Sequence, residues 1–168
     1  METTKFLLVF IWLAAAGGNR LPDGNLLAGI AKAEIGVREL SGHNDGQRVA
    51  AYQKAGDCTK GDPWCAAFIS WVFKQAGYPA PRTGWSPNLF PSSRVVKVPE
   101  RGTVLGIYFP ALKRIAHCGL VTGVHNNWVY SVEGNTNVAG SREGDGVYAR
   151  IRHRKSISRY ADWMKKKI

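Results

Sequence analysis

The segment GDPWCAAFISWVFKQAG, residues 61–77, constrains this chain more than any other stretch. Ala66, Phe68, Ile69, Val72 and Phe73 are spaced to cover most faces of a helix. A helix that is apolar nearly all round has to be central and buried. Asp62 is placed to cap it, and Pro63 suits the first helical position, where a missing N–H costs nothing. Gly77 suits the left-handed stop at the other end. The rest of the chain must supply a cover for this helix.

Two more helices precede it. In LPDGNLLAGIAKAEIG, Asn25 is a candidate cap, Leu26, Leu27, Ile30 and Ala33 make one apolar face, and Gly36 can end the helix. After the turn SGHNDG, Asp45 is placed to cap a short helix carrying Val49, Ala50 and Tyr52 and stopping at Gly56. Residues 78–102, rich in Pro and Gly and carrying Trp85 and Phe90, read as a long ordered loop with one helical turn. The period then changes to that of strands: Thr103–Phe109, Ala116–Val124, Trp128–Glu133 and Val147–His153. The tail SRYADWMKKKI is expected to add a last short helix. Helices first and an antiparallel sheet second is the order of an α+β fold.

The first 18 residues read as a secretory signal peptide, with residues 19–168 as one catalytic-size domain. Lys5 precedes the apolar run Phe6 to Ala16, which ends in the small residues Ala14, Ala15 and Ala16. That run is well short of the ~20 apolar residues of a membrane span, so no stable membrane anchor is expected. The formal net charge is +11, and cleavage after residue 18 leaves it unchanged, because Glu2 and Lys5 depart together. An exported chain of this charge meets anionic cell-wall polymers rather than nucleic acid, and it carries no zinc-finger spacing. Periplasm, cell wall or extracellular space are the expected locations, and the chain is expected to act as a monomer.

Three cysteines are an odd number, so at least one thiol stays free. Cys58–Cys65, Cys58–Cys118 and Cys65–Cys118 are all open as pairs. Cys65 lies at about the third position of the central helix. There the unpaired N–H groups and the helix dipole favour a thiolate, the form that attacks carbonyl carbon. A buried structural cysteine is the competing reading. His117, opening a strand, is the candidate base.

If His125, Asn126 and Asn127 form a three-residue loop, His117 falls opposite Asn135, with Glu133 diagonal on the same face. Both then reach the imidazole. A two-residue loop would put His117 and Glu133 on opposite faces. By the same alternation Cys118 points away from His117 into the core.

Together, GDPWCAAFISWVFKQAG, HCGLVTG and VEGNTN resemble the CHAP domain (cysteine, histidine-dependent amidohydrolase/peptidase), over about Leu26 to Arg152. The resemblance implies a small papain-like fold whose central helix presents Cys65 and whose sheet presents His117, with Glu133 and Asn135 as third and fourth catalytic members. It also implies hydrolysis of peptidoglycan amide bonds through a thioacyl-enzyme. The bond would be that of an N-acetylmuramoyl-L-alanine amidase or of a stem or cross-bridge endopeptidase. Trp64, beside the nucleophile, and Trp85, in the long loop, are the expected substrate contacts.

Two local departures stand out. Arg101-Gly102-Thr103 replaces the family's acidic Gly-Asp entry to the sheet, and Cys118 occupies a position where a small aliphatic is usual. Some relatives bind calcium before the cysteine, but Asn44, Asp45, Asp57 and Asp62 are too scattered for that, and no metal or other cofactor is expected. The rival readings are an NlpC-type endopeptidase, which shares the fold, and a wall-binding module with an inert site. A zinc hydrolase would need adjacent strand residues such as His117 and Cys118 to face one metal, and no His-Glu-x-x-His spacing occurs.

Overall fold

A computed structural model describes residues 23–138 and 144–165. The expected signal peptide lies outside the described residues. Three helices come first: α1 (Gly24–Ala33), α2 (Gln47–Ala55) and α3 (Cys65–Gln75). Six strands follow: β1 (Val95–Val96), β2 (Val104–Phe109), β3 (Arg114–His125), β4 (Trp128–Thr136), β5 (Gly146–His153) and β6 (Arg159–Ala161). They form one sheet in the order β1-β6-β2-β3-β4-β5, antiparallel at every pairing. The α+β reading holds.

α3 is buried along its whole length from Cys65 to Phe73, as its apolar surface requires. Val104, Leu120 and Val132 are in register across β2, β3 and β4 and face it. Tyr52 of α2 stacks on Trp64 and meets Phe68 and Trp71 edge-on. Each fully buried side chain of this size contributes about 1.5–3 kcal/mol of transfer free energy. The other sheet face carries a smaller cluster of Leu105, Val121, Val129, Ile157 and Tyr160. Among the described residues no helix is long and apolar enough to cross a membrane.

Several local expectations are corrected. α1 is capped by Asp23, not Asn25: its carboxylate accepts the N–H groups of Asn25 and Leu26. The helix therefore starts at Gly24, where a Cβ would lie 2.0 Å from the Arg101 carbonyl oxygen. The buried face of α1 is Leu27, Ala28 and Ala31, and Leu26 is exposed. Asp45 does not cap α2, whose N-cap is Gly46; its carboxylate accepts the Ser41 N–H and hydroxyl instead. Asp62 likewise spends its carboxylate on the N–H and hydroxyl of Thr59, and α3 begins three residues later with Trp64 at its N-cap.

At Asp45 and Asp62 the short polar side chain found a closer local N–H than the expected one. The loop 78–102 contains its expected helical turn, a 3₁₀ turn at Ser86–Leu89, but also the unforeseen β1. The tail is not a helix. Residues Arg159–Ala161 form β6, because the open edge of β2 offers backbone partners to Arg159, Tyr160 and Ala161.

Candidate active site

Cys65 is the first residue of α3. The N–H groups of Cys65, Ala66 and Ala67 thus have no intrahelical acceptor and lend this end partial positive charge. The approach to the helix is fixed from several sides. Asn135 Oδ1 accepts the Trp64 N–H at 3.4 Å, and the Trp64 indole N–H donates to Glu39 at 2.8 Å. The Asn135 amide nitrogen donates to Glu39 and Asn44, and Gln53 donates to the carbonyls of Asn44 and Asp62.

The Cys65 thiol is 4% exposed and lines a cleft of about 470 Å³. Its Sγ lies 3.3 Å from the Ser86 Oγ. Cys118 first, then His117 and Ser86, act against burial and hold the Cys65 thiol well below the range of a free thiol.

His117 is brought to this point by β3, which carries two bulges. Ala116 is the extra residue between Tyr108↔Ile115 and Ile107↔His117. Bulges re-aim side chains where pairing would otherwise fix them. His117 Nε2 lies 2.8 Å from Glu133 Oε2, which leaves Nδ1 for the thiol. Burial disfavours the imidazolium, but its interactions with the acceptors Cys65 and Glu133 outweigh that and raise His117 to about 9.

Glu133 is fully buried, and every hydrogen bond to it is short. Arg152 grips it with Nε at 2.6 Å and a terminal nitrogen at 2.6 Å, and the Ser131 hydroxyl donates at 2.7 Å. Burial alone would raise its carboxyl; Arg152 and His117 reverse that and keep it ionised. Gly119 makes room for it, since a Cβ there would sit 2.5 Å from Glu133 Cγ.

The hairpin between β3 and β4 differs from expectation in its turn but not in its outcome. His125 pairs with Trp128, so the loop has two residues, Asn126 and Asn127. On that register His117 and Glu133 would face apart. The second bulge, at Thr122 between Val121↔Ser131 and Gly123↔Tyr130, shifts the parity back. The strand beyond it follows the spacing that a three-residue loop would have produced.

Asn135 is not beside the imidazole. Its φ of +53° turns it off the strand, and its amide goes to Trp64, Glu39 and Asn44. Trp64 is wholly buried and cannot touch substrate, whereas Trp85 is 51% exposed on the cleft rim under the Arg114 guanidinium. Cys118 does face α3 within the core.

Arg152, Ser131, Ser86 and Glu39 were missed. Ser131 shares strand parity with Val129 and Glu133 on β4, a signal that one-strand alternation could have shown, whereas Arg152 lies across from Val129 on β5 and needs the strand pairing. Ser86 and Glu39 come from loops and carry no such signal. Among the described residues no group of three or more His, Cys, Asp or Glu is arranged to hold a metal.

No family model matches the sequence, and neither does any curated protein. Among solved structures, the NlpC/p60 domain of the peptidoglycan hydrolase SagA is similar, with a TM-score of 0.51 at 14% identity. The match covers 83% of this chain and 98% of that one. At such identity the likeness concerns the fold: three helices on a six-stranded antiparallel sheet, of the papain-like NlpC/p60 type.

Proposed function

We propose that this chain is a cysteine-dependent amide hydrolase of peptidoglycan, exported to the wall it cuts. The observation that carries the reading is a thiol on a helix N-terminus, at a cleft, lowered by groups that include an imidazole which a buried carboxylate braces from behind. Cys65 Sγ would attack the carbonyl carbon of a stem-peptide amide. Negative charge developing on the oxygen would meet the free N–H groups at the start of α3. The imidazolium of His117 would give its Nδ1 proton to the departing amine, leaving a thioacyl-enzyme. Neutral His117 would then take a proton from water, whose oxygen attacks the thioester, and Cys65 leaves as thiolate. Glu133 holds the imidazolium throughout, and Arg152 keeps Glu133 ionised.

Support for the wall as substrate comes from the three CHAP-like segments, the net charge of +11 and the similarity to a domain named for peptidoglycan hydrolysis. That neighbour gives weight to an NlpC-type endopeptidase beside a CHAP-type amidase. Purified peptidoglycan incubated with the protein should release fragments that each carry a new amine or a new carboxylate. Their masses identify the bond, and Cys65→Ala should release none. Wild-type release by Cys65→Ala would overturn the proposal.

A further inference from the structure

We propose that Arg114 selects the substrate by binding a free carboxylate that the peptide carries within a residue or two of the amide Cys65 attacks; this rests on the function proposed above. Arg114 opens β3 three residues before His117, and it lines the Cys65 cleft together with Trp85 and Ala116. Trp85 immediately precedes Ser86, whose Oγ lies 3.3 Å from Cys65 Sγ. The arginine is thus joined to the base through its own strand and to the nucleophile through the ring it rests on.

The guanidinium carbon of Arg114 lies 4.1 Å from the centre of the Trp85 ring. One terminal nitrogen donates to the Ile115 carbonyl at 3.2 Å. These two contacts hold the head of a side chain that otherwise samples many rotamers. A guanidinium has five N–H donors, and a single carbonyl uses only one. Among the described residues Arg114 makes no ion pair and no other hydrogen bond. Contact with a ring leaves N–H edges of the guanidinium open, and such an edge takes a carboxylate through paired bonds. Trp85 is 51% exposed and Arg114 half-buried, so a peptide in the cleft can reach both.

The other charged residues lining the cleft are already engaged or of the wrong sign. Arg82 spends its terminal nitrogens on the carbonyls of Ser70, Tyr78 and Pro81. Asp62 accepts the N–H and hydroxyl of Thr59, and Asp57 repels an anion. Both carboxylates come from the α2–α3 connection, whereas Arg114 comes from the sheet. An anionic group entering the cleft therefore has Arg114 as its open cation, and a neutral carboxamide in the same place forgoes that attraction.

The test uses two soluble muropeptides that differ only at the second stem residue, a free α-carboxylate in one and a carboxamide in the other. Each is given to the wild type, Arg114→Lys and Arg114→Ala, and kcat/KM is measured. The wild type should favour the carboxylate by about tenfold to a hundredfold, the range of a charge-assisted hydrogen-bonded contact. Arg114→Ala should abolish that preference. Arg114→Lys keeps the charge without the planar fork and should hold only part of it. A ratio of two substrates on one protein does not depend on the folded fraction, and the lysine variant serves should the alanine fold poorly. Equal cleavage of both peptides by the wild type, or the full wild-type preference in either variant, would overturn the inference. A wild type that cuts neither peptide would instead overturn the proposed activity itself.

Discussion

Glu34 and Glu133 are built alike up to a point. Each is a buried carboxylate gripped by both ends of an arginine fork, Arg48 on Glu34 at 2.7 and 2.5 Å, Arg152 on Glu133 at 2.6 and 2.6 Å. Each takes further hydrogen from a neutral hydroxyl, Tyr52 on Glu34 and Ser131 on Glu133. In both, the donors overcome the effect of burial and keep the carboxyl ionised. Around Glu34 the donors end there: the Tyr52 ring is packed on Trp64, Phe68 and Trp71, and the unit ties α2 to the end of α1. Glu133 has His117 as a further donor, and through it a thiol. An arginine-held glutamate is thus only a brace. It acquires chemistry when what it braces is a base whose other nitrogen reaches a nucleophile.

Substitutions should separate the two carboxylates. The largest effect is expected from His117→Ala, which deletes the feature that Glu34 lacks: hydrolysis should fall by about a thousandfold or more, in a protein that still folds. Glu133→Gln should cost less, about a hundredfold, because a neutral amide still fills the space but no longer stabilises the imidazolium. Glu34→Gln should leave the rate per folded molecule unchanged and remove about 2 kcal/mol from urea stability, through weakened bonds to Arg48 and Tyr52. Equal loss of activity from Glu34→Gln and Glu133→Gln, in initial rates corrected for folded fraction, would erase the distinction.

A smaller effect distinguishes the two sites by pH. His117 is raised to about 9, so its contribution to stability is complete below its ordinary value of about 6.5 and is lost as pH rises through about 9. The lowered Cys65 thiol works in the opposite sense: its contribution is complete above the free-thiol range and is lost as pH falls through its folded value. Between about 6.5 and 8.5 the folded pair holds one proton on nitrogen and the unfolded chain holds one on sulfur, so the two slopes cancel. Wild-type stability should be flat across that window. Cys65→Ala removes the thiolate together with its share of the His117 shift, so any fall left as pH rises, at most ~1.4 kcal/mol per pH unit, measures what Glu133 holds alone. Glu34, depressed without a basic partner that titrates near neutrality, contributes nothing there and loses its share only in acid. Chemical denaturation of both proteins at several pH values checks this; a wild-type profile that slopes across that window would contradict it.

What was legible in the sequence followed strong periodicity. The apolar density of residues 65–73 placed α3 at the centre, and alternation placed four of the six strands. Cap residues were misread because Asp23 takes the place expected of Asn25, while Asp45 and Asp62 turn to Ser41 and Thr59, choices that depend on loop geometry absent from the pattern. The β6 segment was misread because three residues beside an open edge take their conformation from that edge. His117 and Glu133 were correctly placed on one face through the wrong turn, since nothing in the residue types around Thr122 announces a bulge. Asn135 was expected opposite His117, but its amide is bonded to Trp64, Glu39 and Asn44, and Trp64, expected at the substrate, is wholly buried.

The central claim is that Cys65 and His117 rest as thiolate and imidazolium. Its most direct test is alkylation with iodoacetamide at mildly acidic pH, followed by intact mass, peptide mapping and activity in the same samples. One alkyl group should appear, mapped to Cys65, with hydrolysis lost in step, while the raised thiols of Cys58 and Cys118 stay unlabelled. Slow labelling of all three cysteines together, rising only toward alkaline pH, would contradict the account, as would full activity in a protein whose Cys65 is already alkylated.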